Sequence, residues 1–146
     1  MRYVPFFCLC ITLVLTACGT RSEANISSDE PVNHDQISRG IEVYRQNYCG
    51  SCHVLSIANT RGMFGPGHDR IVADAERIIN STVYTGDADT VEGYIYESIV
   101  DPNIFFTPTY EATNHHMPAF GHLASEDLDA MVYMLIHQYS YDENAD

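Results

Sequence analysis

An all-α fold in one small domain, with short helices gathered around a single covalently attached group, is what the sequence predicts. Three observations lead there. Apolar residues recur at helical spacing before residue 49, around residues 72–100 and again over residues 125–137. A pentapeptide, Cys49-Gly50-Ser51-Cys52-His53, brings two thiols and an imidazole together within one turn. The chain has 146 residues and a formal net charge of -13, which bounds it to one acidic domain with one modest core.

The pentapeptide has the C-x-x-C-H form of a covalent attachment site for c-type haem. Cys49 and Cys52 are placed to add to the two vinyl groups on one edge of a porphyrin. His53 then reaches the iron from below as the proximal ligand, neutral and bound through one ring nitrogen. A thioredoxin-like redox pair and half of a zinc site are the competing readings. The first normally sits beside a strand-helix-strand pattern, and the second needs a fourth ligand and usually a second close pair. One haem c, covalently held, is the cofactor expected.

The amino end reads as an address rather than as part of the domain. Arg2 precedes an apolar run over residues 4–15, and Leu15-Thr16-Ala17-Cys18 closes it like a bacterial lipobox. Residues 1–17 are thus read as a lipoprotein signal peptide and Cys18 as the lipidated residue; an ordinary secretory signal or a retained anchor are the alternatives. The cysteines then divide without remainder: Cys8 and Cys10 leave with the signal, Cys18 takes lipid, and Cys49 and Cys52 take haem.

All seven basic residues are arginine, against 20 carboxylates, which excludes nucleic acid as a partner on electrostatic grounds. Anionic headgroups repel such a chain too, so membrane residence rests on acyl chains. The expected location is a bacterial membrane, facing the periplasm or the outer face of the cytoplasmic membrane. Residues 18–34 form a polar tether whose flexible part, about fifteen residues long, spans roughly 20 Å. The folded domain is expected over residues 35–140 and a polar tail over 141–146.

Within the domain, Asp35 is the expected cap of a helix over residues 36–48, with Ile37, Ile41, Tyr44 and Tyr48 on one face and Gly40 marking a close helix contact. A loop follows over residues 54–68. Its Gly65-Pro66-Gly67 sets a defined backbone path, and a carbonyl at Pro66 is suited to accept the proton of the ring nitrogen of His53 that faces away from iron. Two short helices follow, over residues 72–82 and 90–100. Tyr94 and Tyr96 are either core residues or partners for a haem propionate. Residues 103–124 lack regular periodicity but carry Phe105, Phe106, Tyr110 and Phe120, as expected of a segment wrapping an apolar surface. Ser125 is the expected cap of the last helix, with Leu128, Met131, Val132, Leu135 and Ile136 as its buried stripe.

The second iron position decides between carriage and catalysis: filled by a side chain, it makes an electron carrier; open, it admits small molecules. Met117 is favoured as distal ligand, since it lies in a long loop and Pro118 stiffens the backbone beside it. His115, His116 and Met63 are further candidates, while Met131 and Met134 belong to the last helix. His68, His122 and His137 are assigned no role.

Taken together, the Gly40 and Tyr44 helix, Cys49 to His53, the loop at Pro66, Met117-Pro118 and a last helix carrying Tyr133 resemble class I cytochrome c, over residues 37–137. Tyr94-Ile95-Tyr96-Glu97-Ser98-Ile99 and the lipobox are similar to membrane-attached monohaem cytochromes of bacterial respiratory chains. The resemblance implies the class I cytochrome c fold with crossing first and last helices, axial ligation by His53 and Met117, and a partly exposed haem edge as the electron port. It implies a non-enzymatic single-electron carrier between a quinol-oxidising complex and a terminal oxidase or reductase, with redox proteins of the membrane chain as partners. A haem enzyme or gas sensor with an open sixth position, and a fixed subunit of an oxidase or reductase, are the alternatives. One departure stands out: mitochondrial-type relatives surround the haem edge with lysines, and this chain has none.

Overall fold

The structure, a computed structural model, describes residues 31–112 and 114–141. The signal peptide over residues 1–17, Cys18, residues 18–30 of the tether and residues 142–146 of the tail lie outside the described residues.

Helix α1 runs His34–Gln46, two residues ahead of the expected start. Its cap is Asn33 rather than Asp35: the Asn33 carboxamide oxygen accepts from Gln36 N at 3.1 Å, leaving Asp35 in the first turn, where the helix dipole favours a negative charge. Ile37, Ile41, Val43 and Tyr44 form its buried face. The helix ends at Asn47, whose side chain donates to Val43 O at 2.8 Å. Tyr48, at φ 57, then turns the chain through the left-handed region into a single 3-10 turn, Cys49–Ser51.

The all-α expectation is corrected immediately after the pentapeptide. Val54–Leu55 (β1) and Thr60–Arg61 (β2) pair antiparallel, with Val54 opposite Arg61 and Leu55 opposite Thr60. Among the described residues the architecture is therefore four α-helices plus a small two-stranded sheet, a mixed fold in place of the all-helical class I cytochrome c fold. Local chemistry makes the hairpin. Asn59 takes a left-handed φ of 51 and donates its N–H to Ser56 O at 2.9 Å, while the Thr60 hydroxyl donates to His53 O at 2.9 Å and accepts from Leu55 N at 3.0 Å. The Asp69 carboxylate accepts from both Ser56 N and Ser56 Oγ, at 2.6 and 2.9 Å.

Helix α2, Ile71–Ile79, buries Ala75 and Ile78; helix α3, Val91–Val100, buries Tyr94, Ile95 and Ile99. Thr90 caps α3 by accepting from Gly93 N at 3.0 Å. The described residues between α3 and the last helix have no regular structure, yet Phe120 N donates to Ile99 O at 3.0 Å and pins the far end of the segment to α3.

Helix α4, Ser125–His137, begins one residue earlier than a Ser125 cap requires: Ala124 is the cap residue, without a side-chain bond, and Glu126 and Asp127 occupy the first turn. Leu128, Ala130, Met131, Val132, Met134 and Leu135 are buried. Helices α1 and α4 pack along their lengths, joined by Tyr133 OH, which accepts from Asn33 N at 2.9 Å, and by an exposed Arg39–Asp127 ion pair at 2.7 Å. After α4 a 3-10 turn, Gln138–Ser140, carries the chain to Tyr141, whose ring lies 5.8 Å from that of His34. Tyr141, the first residue of the expected tail, thus packs beside α1.

Candidate cofactor site

The sheet and the glycine-rich loop after it hold the pentapeptide. Phe64 N and Gly65 N both donate to Cys52 O, at 3.0 and 2.9 Å, folding the loop back over the pentapeptide. Gly62 and Gly65 are required by how near the chain then comes to itself. A Cβ on Gly62 would lie 2.5 Å from His53 N, and one on Gly65 would lie 2.5 Å from His53 Cε1 and 2.8 Å from Nδ1.

His53 is 7% exposed. Its Nδ1–H donates to Pro66 O at 2.7 Å, thirteen residues on. A carbonyl can only accept, so the proton sits on Nδ1 and the lone pair is on Nε2, the tautomer a metal-ligating imidazole requires. Burial lowers the His53 pKa, with the Pro66 carbonyl opposing in part, so the neutral ring persists at neutral pH.

His68 is the residue that sequence reasoning missed. Its ring stacks on His53, with centroids 4.1 Å apart and an interplanar angle of 19°. The Tyr44 hydroxyl lies 3.2 Å from His68 Nδ1, and Gln138 Nε2 donates to His68 O at 3.0 Å. Burial foremost, then the neighbouring His53, holds the His68 pKa well below the ordinary histidine value. The available signal was its place directly after Gly65-Pro66-Gly67, the segment that turns back onto the pentapeptide.

Cys49, Cys52, His53, Pro66 and Met117 all line one cavity of about 500 Å³. Its wall is largely apolar, built from α2, α3 and α4 by Ile71, Ile78, Ile95, Ile99, Met131 and Leu135. That volume lies within the roughly 300–1,000 Å³ range of small-molecule and cofactor sites. His115 and His116 line it beside Met117, each against an aromatic ring: His115 at 4.6 Å from Phe64, His116 at 5.6 Å from Phe106. The other methionines separate by position. Met63 is 86% exposed and Met134 is buried where α4 meets Gly40, neither on the cavity wall. Of the two tyrosines, Tyr94 is buried and lines the cavity, whereas Tyr96 is exposed.

The chemistry of the donor set is selective. Cys49 and Cys52 form no disulfide, and burial foremost, with Cys52 adding, pushes the Cys49 pKa up to about 11. A thiol so raised is not the thiolate a redox-active C-x-x-C pair uses. Among the described residues no group of three or more His, Cys, Asp or Glu side chains is placed to hold a metal ion, so a tetrahedral zinc site lacks its ligands. The cavity thus brings together two cysteine side chains, an imidazole protonated on Nδ1 and a methionine thioether on a largely apolar wall. No helix among the described residues is long and apolar enough to cross a membrane. Comparisons with family models, with curated proteins and with solved structures find no match.

Proposed function

We propose that this protein is an exported, lipid-anchored c-type cytochrome, a carrier of single electrons between a quinol-oxidising complex and a terminal oxidase or reductase at a bacterial membrane. The observation that carries the reading is the convergence on one apolar cavity of two cysteines not bridged to each other, an imidazole of the right tautomer and a methionine 64 residues further along the chain than that imidazole. In this reading Cys49 and Cys52 would hold one haem c by thioether bonds, and His53 and Met117 would bind its iron.

Each protein group then has a physical task. Pro66 O fixes the His53 ring and strengthens it as a donor. The isoleucine and leucine wall keeps water from the ring faces, and the Met117 thioether, once bound, blocks access by small molecules. The haem iron, when present, supplies the chemistry, passing between ferric and ferrous states by one electron. A methionine ligand favours the ferrous form, and a buried site disfavours the extra positive charge of the ferric form, so a comparatively high potential is expected. Lipidation at Cys18 keeps the domain near membrane partners without a basic patch, which this acidic chain lacks.

The test is production of the full chain alongside a c-type haem maturation system. Covalent haem found by mass on the chain, with a far-red ferric band reporting sulfur on iron, supports the reading. A folded, exported chain with both thiols free would refute it.

A further inference from the structure

We propose that His68 is a positioning residue for His53: by laying its ring flat on the ligand imidazole it fixes that ligand and lowers the midpoint potential of the bound haem. The inference rests on the haem reading above.

The contact is built rather than incidental. The two rings are 4.1 Å apart and within 19° of parallel. His68 is tied down at three points: its N–H donates to Val54 O at 2.9 Å, its carbonyl accepts from Gln138 Nε2 at 3.0 Å, and its Nδ1 lies 3.2 Å from Tyr44 OH. Those partners come from β1, the turn after α4, and α1: the first two fix the His68 backbone and the third touches its ring. His53 is held along its edge by Pro66 O and on its face by His68, with Gly65 so close that no side chain fits there.

An imidazole bound to ferric iron carries more positive charge than one bound to ferrous iron. A neutral aromatic face attracts positive charge, the more so where water is excluded. The stack therefore stabilises the oxidised state, opposing the upward pull of a methionine ligand. Apolar packing alone, as from leucine, fills the space without that attraction.

The experiment uses the full-length chain matured with haem, at pH 8, where an imidazole is neutral. Mass analysis of the wild type comes first, and a chain without haem overturns the haem reading together with this one. On the loaded wild type in its ferrous state, proton NMR is expected to show cross-relaxation between the His53 and His68 rings; its absence, with haem attached, overturns this inference alone. Spectroelectrochemistry then compares His68→Leu, expected at a higher potential than wild type, with His68→Phe, which keeps a flat ring and is expected to stay closer to wild type. A leucine variant at or below the wild-type potential overturns the proposal. Should that variant fail to fold, the ring contact in the wild type still decides.

Discussion

Gly40 of α1 lies directly against the Ala130 carbonyl of α4. A Cβ on Gly40 would collide with that oxygen and come to 2.5 Å from Met134 Cβ. The two helices can approach only because residue 40 has no side chain. Gly40→Ala is therefore expected to cost about 1–3 kcal/mol through overpacking, offset in part by the roughly 1 kcal/mol by which alanine exceeds glycine in helix propensity. Urea unfolding checks it, and a variant as stable as wild type would mean that the helices separate at no cost.

At the start of α1 one residue does two jobs. Asn33 caps the helix through its side chain and is tied to α4 through its backbone N–H. Asn33→Ala removes only the cap and should cost roughly 1 kcal/mol. Asp35→Ala removes a first-turn charge and should cost less, a few tenths of a kcal/mol. The reverse order in thermal unfolding would restore Asp35 as the cap.

That reassignment illustrates what the chain made legible. Asn33 and Asp35 are both good caps, and the choice was made by Tyr133, a hundred residues away, which no local pattern contains. The apolar period of α4 was readable because Leu128, Met131, Val132 and Leu135 recur at helical spacing and are buried. The sheet was not, since two-residue strands have no period and this pair exists because Thr60 bridges the backbone of His53 and Leu55. Pro66 was legible as the partner of His53 from the Gly65-Pro66-Gly67 path and the thirteen-residue separation. His68 was hidden because a histidine in a polar loop looks solvated until the loop is seen folded back onto His53.

Gly65 has no room for a methyl group against the His53 ring. Gly65→Ala should push the imidazole away from Pro66 O at a stability cost of about 1–3 kcal/mol and, under the proposed haem reading, lower the yield of loaded protein. The haem-to-protein ratio of purified material measures it. A full yield, with the His53 Nδ1 proton still shielded from exchange by NMR, would show that the loop yields easily.

Acid should weaken the fold in part through His137. Its ring lies 4.1 Å from that of Tyr133, and burial lowers its pKa. Since the folded state resists protonation, the unfolded chain takes up the proton first as pH falls below about 6.5, and stability drops from that point downward. Carboxylates titrate in the same experiment, so the informative quantity is a difference: the gap between wild type and His137→Gln should be constant from pH 8 to about 6.5 and change against wild type below it. A gap that stays constant to pH 5 would show that His137 is not resisting protonation.

The distal ligand of the proposed haem is open to the most direct test, because the cavity wall offers methionine sulfur from two places, Met117 in the irregular segment and Met131 in α4. Met131 is 2% exposed and belongs to the stripe that α4 buries, so turning it to iron would empty part of the core, whereas Met117 is half-buried beside Pro118. Met117→Ala is expected to leave the haem covalently attached, abolish the far-red ferric band and lower the midpoint potential, since the thioether favours ferrous iron. His116→Ala should leave band and potential in place. Survival of the band in Met117→Ala would point to Met131 as the sulfur source, and a compensating rearrangement of α4 would then appear as a lower unfolding midpoint.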